Sequence, residues 1–121
     1  MTLDSKSKRA AIDCSVALAH VEDDRQLLAE LATIFIEDYP RLLHEVRNSI
    51  GLNDCPGLER AAHTLKGRLA FFGVQRARGQ ASDLEAMGRT QDLTGARESL
   101  DVLAAEMKNI LSEIESLTRE I

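Results

Sequence analysis

Three histidines are the candidates for proton or phosphoryl transfer in this 121-residue sequence: His20, His44 and His63. His20 lies near the end of a predicted helix. His44 has no acidic or cysteine neighbour at the spacing that metal ligands need. We therefore interpret these two as ordinary surface or boundary residues. His63 has different neighbours, and the functional hypothesis rests on it.

The residues that share the predicted helical face of His63 are unusual for a surface helix. They lie at −4, +3, +4 and +7 from it and are Glu59, Lys66, Gly67 and Ala70. The apolar stripe of this helix points elsewhere, so His63 should face solvent. A glycine inside a helix costs about 1 kcal/mol relative to alanine. We interpret the glycine and alanine as room for another molecule to approach the imidazole.

An exposed, neutral imidazole is a competent nucleophile, and phosphoryl groups are natural targets for it. Lys66, one helical turn away, could neutralise the charge that a phosphoryl group adds. A di-iron site is the competing interpretation, and it needs inward carboxylates with Glu-x-x-His spacing. The sequence has Glu59-x-x-x-His63 on the outward face instead, which favours the nucleophile.

Charge and hydropathy narrow the classes of partner. The net charge is −5 and the pI is about 5.2, which argues against a protein that coats nucleic acid. No stretch approaches 18 consecutive apolar residues, so we expect no membrane span. Residues 60–78 nevertheless carry five basic side chains and no acid. This local positive charge predicts an acidic or phosphorylated partner. The basic residues are Arg60, Lys66, Arg68, Arg76 and Arg78.

The composition is 44% hydrophobic with only 3% aromatic residues, which indicates an all-α fold rather than a β-sandwich. Apolar residues spaced by three and four predict a short helix from Asp13 and four long amphipathic helices, the second continuing through Pro40. Short turns between them predict an antiparallel up-down-up-down four-helix bundle. The last helix, carrying Leu93 onwards, should be the longest. We expect residues 1–9 to be a flexible tail and residues 10–121 to be one domain.

The two cysteines, Cys14 and Cys55, are too far apart for any Cys-x-x-Cys or metal-ligand spacing. We interpret them as reduced thiols of a cytoplasmic protein. No apolar segment follows the charged amino-terminal residues, so we do not expect a signal peptide.

The residues around His63 resemble the signature of a known family. The segment Ala62-His-Thr-Leu-Lys-Gly67, followed by Phe72-Gly73, closely resembles the signature of histidine-containing phosphotransfer (HPt) domains. Residues 35–43 resemble the second-helix segment of that family, and Leu84-Glu85 falls where the family commonly has Leu-Glu. The resemblance covers roughly residues 12–118.

The resemblance implies a four-helix bundle with a short N-terminal helix packed over one end. It also implies that His63 exchanges a phosphoryl group with an aspartate of a receiver domain, in a response regulator or a hybrid sensor histidine kinase. Lys66 would stabilise the phosphoryl group, Gly67 would clear space for it, and Glu85 would hydrogen-bond the imidazole. Such a domain has no ATP-binding kinase activity and no cofactor of its own, and Mg²⁺ would come from the receiver.

Two positions depart from the commonest family pattern. Arg68 replaces a small residue after the Lys-Gly pair, and Phe71 replaces a small or polar one. We expect both to affect the choice of partner. The predicted partner-binding residues are Arg60, Arg68, Ala70, Phe71, Arg76 and Arg78.

Two alternatives remain open at the level of sequence. The first is a non-catalytic helical adaptor, dimeric through the heptad-like last helix, although we expect a monomer. The second is that the sequence is a piece of a larger kinase that phosphorylates His63 itself.

Overall fold

The computed structural model describes residues 12–119, which form five α-helices and no β-strand. The helices are α1 (Cys14–His20), α2 (Arg25–Gly51), α3 (Cys55–Phe71), α4 (Gln75–Thr90) and α5 (Ala96–Thr118).

The four long helices form a bundle. Helices α2 and α4 each pack against both α3 and α5, whereas the diagonal pairs of described helices do not approach each other. Because successive helices are neighbours joined by short turns, they run antiparallel. The predicted four-helix bundle is confirmed.

Aspartates begin three of the helices. Asp13, Asp24 and Asp54 cap α1, α2 and α3, and each carboxylate accepts a backbone N–H from the first turn. Helix α2 continues through Pro40, as the unbroken apolar pattern predicts. The positions where these helices begin could therefore be predicted from the sequence.

The core is built from one apolar face of each long helix. Fully burying a leucine or isoleucine side chain stabilises the fold by about 1.5–3 kcal/mol. Leu31 and Tyr39 keep the helical spacing of the apolar residues of α2, but they are only half-buried at the edge of its buried face. The largest fully buried side chains are Leu42, Leu58, Leu65, Leu69, Leu84, Leu100, Leu103, Met107, Ile110 and Ile114.

Helix α1 lies over one end of the bundle, beside the turn from α3 to α4. The Asp13 N–H donates to the carbonyl of Phe72 over 2.9 Å. Gly73 in that turn has φ +69°, and a Cβ there would lie 2.6 Å from the Cβ of Asp13, so no side chain fits. This close approach fixes α1 against the end of α3, the helix that carries His63.

The prediction for the last helix was wrong in two respects. Helix α5 begins at Ala96 rather than Leu93, and α2, with 27 residues, is longer than the 23 residues of α5. The cause is local: the Asp92 carboxylate accepts the Thr94 N–H, and Gly95 has φ +79°, which is not helical. Leu93 is apolar and keeps the helical spacing of the apolar residues of α5, but it lies in this turn.

The predicted tail, residues 1–9, lies outside the described residues. Among the described helices, none combines the length and the apolar character that crossing a membrane requires. The part of the chain that the structure describes contains no disulfide.

Candidate functional site

The imidazole of His63 projects into solvent from the middle of α3. Its side chain is 68% exposed. The residues of α3 that face the core, Leu58, Ala62, Leu65 and Leu69, are completely buried. These residues fix the rotation of the helix, and His63 is therefore turned outward, as the periodicity predicts.

Glu85 of α4 contacts both His63 and Lys66 of α3. Its Oε2 lies 2.8 Å from Nδ1 of His63, and its Oε1 lies 2.6 Å from Nζ of Lys66. The Glu85 side chain is only 11% exposed, whereas the Lys66 side chain is 28% exposed. A nearly buried carboxylate that binds two donors is a rigid acceptor. Lys66 is therefore held towards α4, beside the histidine.

The charge on Glu85 is stabilised by these two neighbours. The hydrogen bond from Lys66 is the largest influence on the pKa of Glu85 and lowers it. The hydrogen bond from His63 lowers the pKa further, and burial acts in the opposite direction. The net result is a pKa below the ordinary value of 4.5. Glu85 is consequently ionised at neutral pH.

The ionised carboxylate determines which nitrogen of His63 is free to react. A carboxylate can only accept a hydrogen bond, so Nδ1 must carry the proton that lies between them. In the neutral imidazole the other nitrogen, Nε2, then keeps its lone pair. Nε2 is therefore the ring nitrogen with a free lone pair, on a side chain that is mostly exposed.

A groove of about 820 Å³ lies between α2 and α3, with His63 at its edge. Gly67 forms part of its wall, and a Cβ at Gly67 would meet no atom from other parts of residues 12–119 within 4 Å. The fold itself therefore does not require a glycine at this position. The groove is lined by Leu31, Ile34, Phe35, Glu37, Asp38, His63, Thr64, Gly67, Arg68, Phe71 and Phe72.

Arg68 does not stand in the groove as an isolated positive charge. Its Nη1 lies 2.8 Å from Oδ2 of Asp38, which also binds Arg41, and Arg41 in turn binds Glu45. The hydrogen bond from Arg68, followed by that from Arg41, lowers the pKa of Asp38. The pair thus links α2 to α3 across the groove and neutralises the arginine that the sequence suggested for partner binding.

The six predicted partner-binding residues divide into two groups. Arg68 and Phe71 line the groove together with His63, and the others do not. Arg76 and Arg78 lie in the first turn of α4, and Arg76 is 4.0 Å from Glu106 of α5. The basic residues are therefore spread over two helices. The predicted residues outside the groove are Arg60, Ala70, Arg76 and Arg78.

Two features of the site were missed at the level of sequence. The exposed Ile34, whose relative exposure is 54%, lines the groove from α2. Its position off the apolar stripe was the available signal, because a large aliphatic residue there is not needed for the core. His20, interpreted as ordinary, donates from Nδ1 to the carbonyl of Phe71 over 3.1 Å and stacks on its ring. No sequence pattern indicated that contact.

Comparison with known proteins agrees with this geometry. The model of the Hpt domain family matches residues 30–116. The chain therefore belongs to the Hpt domain family. Its function is histidine phosphotransfer in a two-component phosphorelay, in which Hpt proteins interact with receiver domains.

A solved structure has the same fold. It is the crystal structure of histidine-containing phosphotransfer protein B (HptB) from Pseudomonas aeruginosa PAO1, with a TM-score of 0.76 and 20% sequence identity. The match covers 92% of this chain and 93% of that one. A search of the curated proteins found no match.

Proposed function

We propose that His63 is the residue that carries the phosphoryl group, and that the group is attached at Nε2. The observation that supports this most strongly is the orientation of an exposed imidazole: Glu85 lies 2.8 Å from Nδ1, while the side chain as a whole is 68% exposed. His44 is also exposed on α2, but no such carboxylate orients it in the structure.

The proposed transfer of the phosphoryl group needs no cofactor bound to this chain. The Nε2 lone pair attacks the phosphorus of an aspartyl phosphate in the receiver, and a new N–P bond forms. The P–O bond to the aspartate breaks, and the electron pair leaves with the aspartate carboxylate. The ring now carries a positive charge shared with the Nδ1–H group, and the ionised Glu85 stabilises that charge. The return transfer reverses each change.

Lys66 has the position needed to neutralise the phosphoryl oxygens. Its ammonium lies beside the imidazole, held by Oε1 of Glu85, and its side chain is partly exposed. A lysine is a compact cation on a flexible stem, so it can contact a phosphoryl group on His63 while it stays close to Glu85. We propose that Lys66 makes this contact when the phosphoryl group is present.

The groove between α2 and α3 is the surface that we propose for docking of the receiver. It combines apolar side chains with an open glycine next to the nucleophile. The receiver, in a response regulator or a hybrid sensor histidine kinase, would supply the aspartate and its Mg²⁺. We propose that the protein acts as a monomer, and the cytoplasmic location remains a prediction from the sequence.

The experiment is phosphotransfer from a phosphorylated receiver domain with Mg²⁺, comparing the wild type with His63→Gln. His44→Gln is the matched control, since it removes another exposed histidine. We expect an acid-labile, base-stable label on the wild type and on the control, and none on His63→Gln. A label that persists in His63→Gln would overturn the assignment. Partner binding and signalling output unchanged by His63→Gln would instead indicate a non-catalytic adaptor.

A further inference from the structure

Helices α3 and α4 are in backbone contact at Gly88. This residue is buried, and a Cβ there would lie 2.7 Å from the carbonyl oxygen of Cys55 and 2.7 Å from the amide nitrogen of Glu59. It would also lie 3.1 Å from the Cα of Glu59. These are backbone atoms, which cannot turn aside as the end of a flexible side chain can. The two helices are therefore as close as a glycine allows.

The site lies one helical turn away from this contact. His63 follows Glu59 by four residues on α3, and Glu85 precedes Gly88 by three residues on α4. Because the helices are antiparallel, these two steps lead in the same direction along the interface. The hydrogen bond of 2.8 Å between Glu85 and His63 spans the separation that the Gly88 contact sets.

We propose that Gly88 is a positioning residue for phosphotransfer. It touches neither His63 nor the incoming phosphoryl group. It allows α4 to approach α3 so closely that the Glu85 carboxylate reaches Nδ1 and keeps the proton there. The proposal deepens the function proposed above and rests on the role of His63 as nucleophile.

The distances show how sensitive the arrangement is. Ordinary contact to a Cβ begins at 3.4 Å, so an alanine at position 88 must move the helices apart by about 0.7 Å. A hydrogen bond of 2.8 Å lengthened by that amount reaches about 3.5 Å, where such bonds become marginal. An imidazole released from the carboxylate can place its proton on Nε2, the atom that must attack.

The test compares Gly88→Ala with Gly79→Ala. Both substitutions lie in α4, but a Cβ at Gly79 meets no atom within 4 Å. The first readout is the pair of imidazole ¹⁵N chemical shifts of His63, which report the tautomer. The second is the rate of phosphorylation by phosphoramidate, a small donor that needs no docking. We expect Gly88→Ala to lose the Nδ1–H tautomer and to react about tenfold more slowly, and Gly79→Ala to match the wild type.

Two further variants separate positioning from stability. Leu103→Ala removes a fully buried side chain of α5. It should lower Tm and leave the tautomer and the rate unchanged. Glu85→Asp keeps the charge but shortens its reach, so it should reproduce the Gly88→Ala result even if that variant does not fold. Wild-type tautomer and rate in Gly88→Ala or in Glu85→Asp would overturn the proposal. The tautomer of His63 is measured without phosphorylation and therefore tests the role of Gly88 alone. A wild type that accepts no phosphoryl group would instead contradict the proposed role of His63.

Discussion

The two sides of α3 are built in different ways. Towards α4, two helix backbones touch at Gly88, and the nearly buried Glu85 carboxylate holds two side chains at distances below 3 Å. Towards α2, the same helix borders an open groove with apolar walls. A half-buried pair, Arg68 and Asp38, crosses that groove. In the function that we propose, the closed side orients the reacting nitrogen and the open side recognises the partner. His63 lies on the boundary between them.

The largest expected effect on phosphotransfer comes from filling the groove on the open side of α3. We expect Gly67→Leu to slow phosphotransfer from a receiver by more than about 100-fold, because the leucine occupies the space that the receiver needs. Phosphorylation by phosphoramidate should stay close to the wild-type rate, since the nucleophile is untouched. Gly79→Leu, which adds the same side chain at another open helical position, is the control. Transfer from the receiver to Gly67→Leu at the wild-type rate would show that the groove is not the docking surface.

Removing a cation from the closed side should have a smaller effect. We expect Lys66→Ala to slow phosphotransfer about tenfold, with both the receiver and phosphoramidate, because the phosphoryl charge loses its neutralising partner. The unfolding free energy should fall by about 1 kcal/mol, because Lys66 is partly buried against Glu85 and is not a freely exposed lysine. Transfer kinetics and urea unfolding measure the two effects. A loss with the receiver alone would place Lys66 on the recognition side instead.

The ion pair of the open side should adjust partner choice by only a small factor. Arg68→Ala removes a positive charge from the groove and leaves Asp38 paired with Arg41 alone, whereas Asp38→Ala frees Arg68 from its carboxylate. We expect Arg68→Ala to slow transfer from a receiver about threefold and Asp38→Ala to accelerate it by a similar factor. Both effects should disappear at high salt. Tm should change by no more than about 3 °C, because both side chains of the pair keep partial contact with solvent. Rates of transfer from the receiver, measured at two ionic strengths, test this expectation. Equal effects of both variants would refute a charge mechanism.

The smallest expected effect is a dependence of stability on pH. The pKa of Glu85 is lower in the folded protein than its ordinary value of 4.5. Its contribution to stability is therefore complete above about pH 4.5 and is lost as the pH falls through the lower, folded-state pKa. We expect the Tm advantage of the wild type over Glu85→Gln to shrink between pH 6 and pH 3. A constant difference over that range would contradict the ionised, hydrogen-bonded state of Glu85.

Much of the fold could be predicted because helix periodicity and capping are local. Asp24 and Asp54 are of a residue type that commonly caps helices, and each directly precedes its helix, while the periodicity of α3 alone turns His63 outward. The start of α5 could not be predicted, because Leu93 keeps the apolar phase while Gly95 breaks the helix.

Contacts between helices were harder to predict than the helices themselves. Asp38 pairs with Arg68 across 30 residues of sequence, and periodicity carries no information about which helix faces which. Glu85 was suggested by the family resemblance alone. Gly88 keeps the helical spacing of the apolar residues of α4, but its contact with the α3 backbone depends on the separation of the helices, which no sequence pattern reports.

The assignment of the reacting atom can be tested directly by nuclear magnetic resonance. The protein, labelled with ¹⁵N at its histidines, is phosphorylated by a receiver, and the ³¹P–¹⁵N coupling identifies the nitrogen that is bonded to phosphorus. We predict one phosphorylated residue, His63, with phosphorus on Nε2 and the proton retained on Nδ1. Phosphorus on Nδ1, or on His20 or His44, would contradict the orientation of His63 by Glu85 as the basis of the transfer.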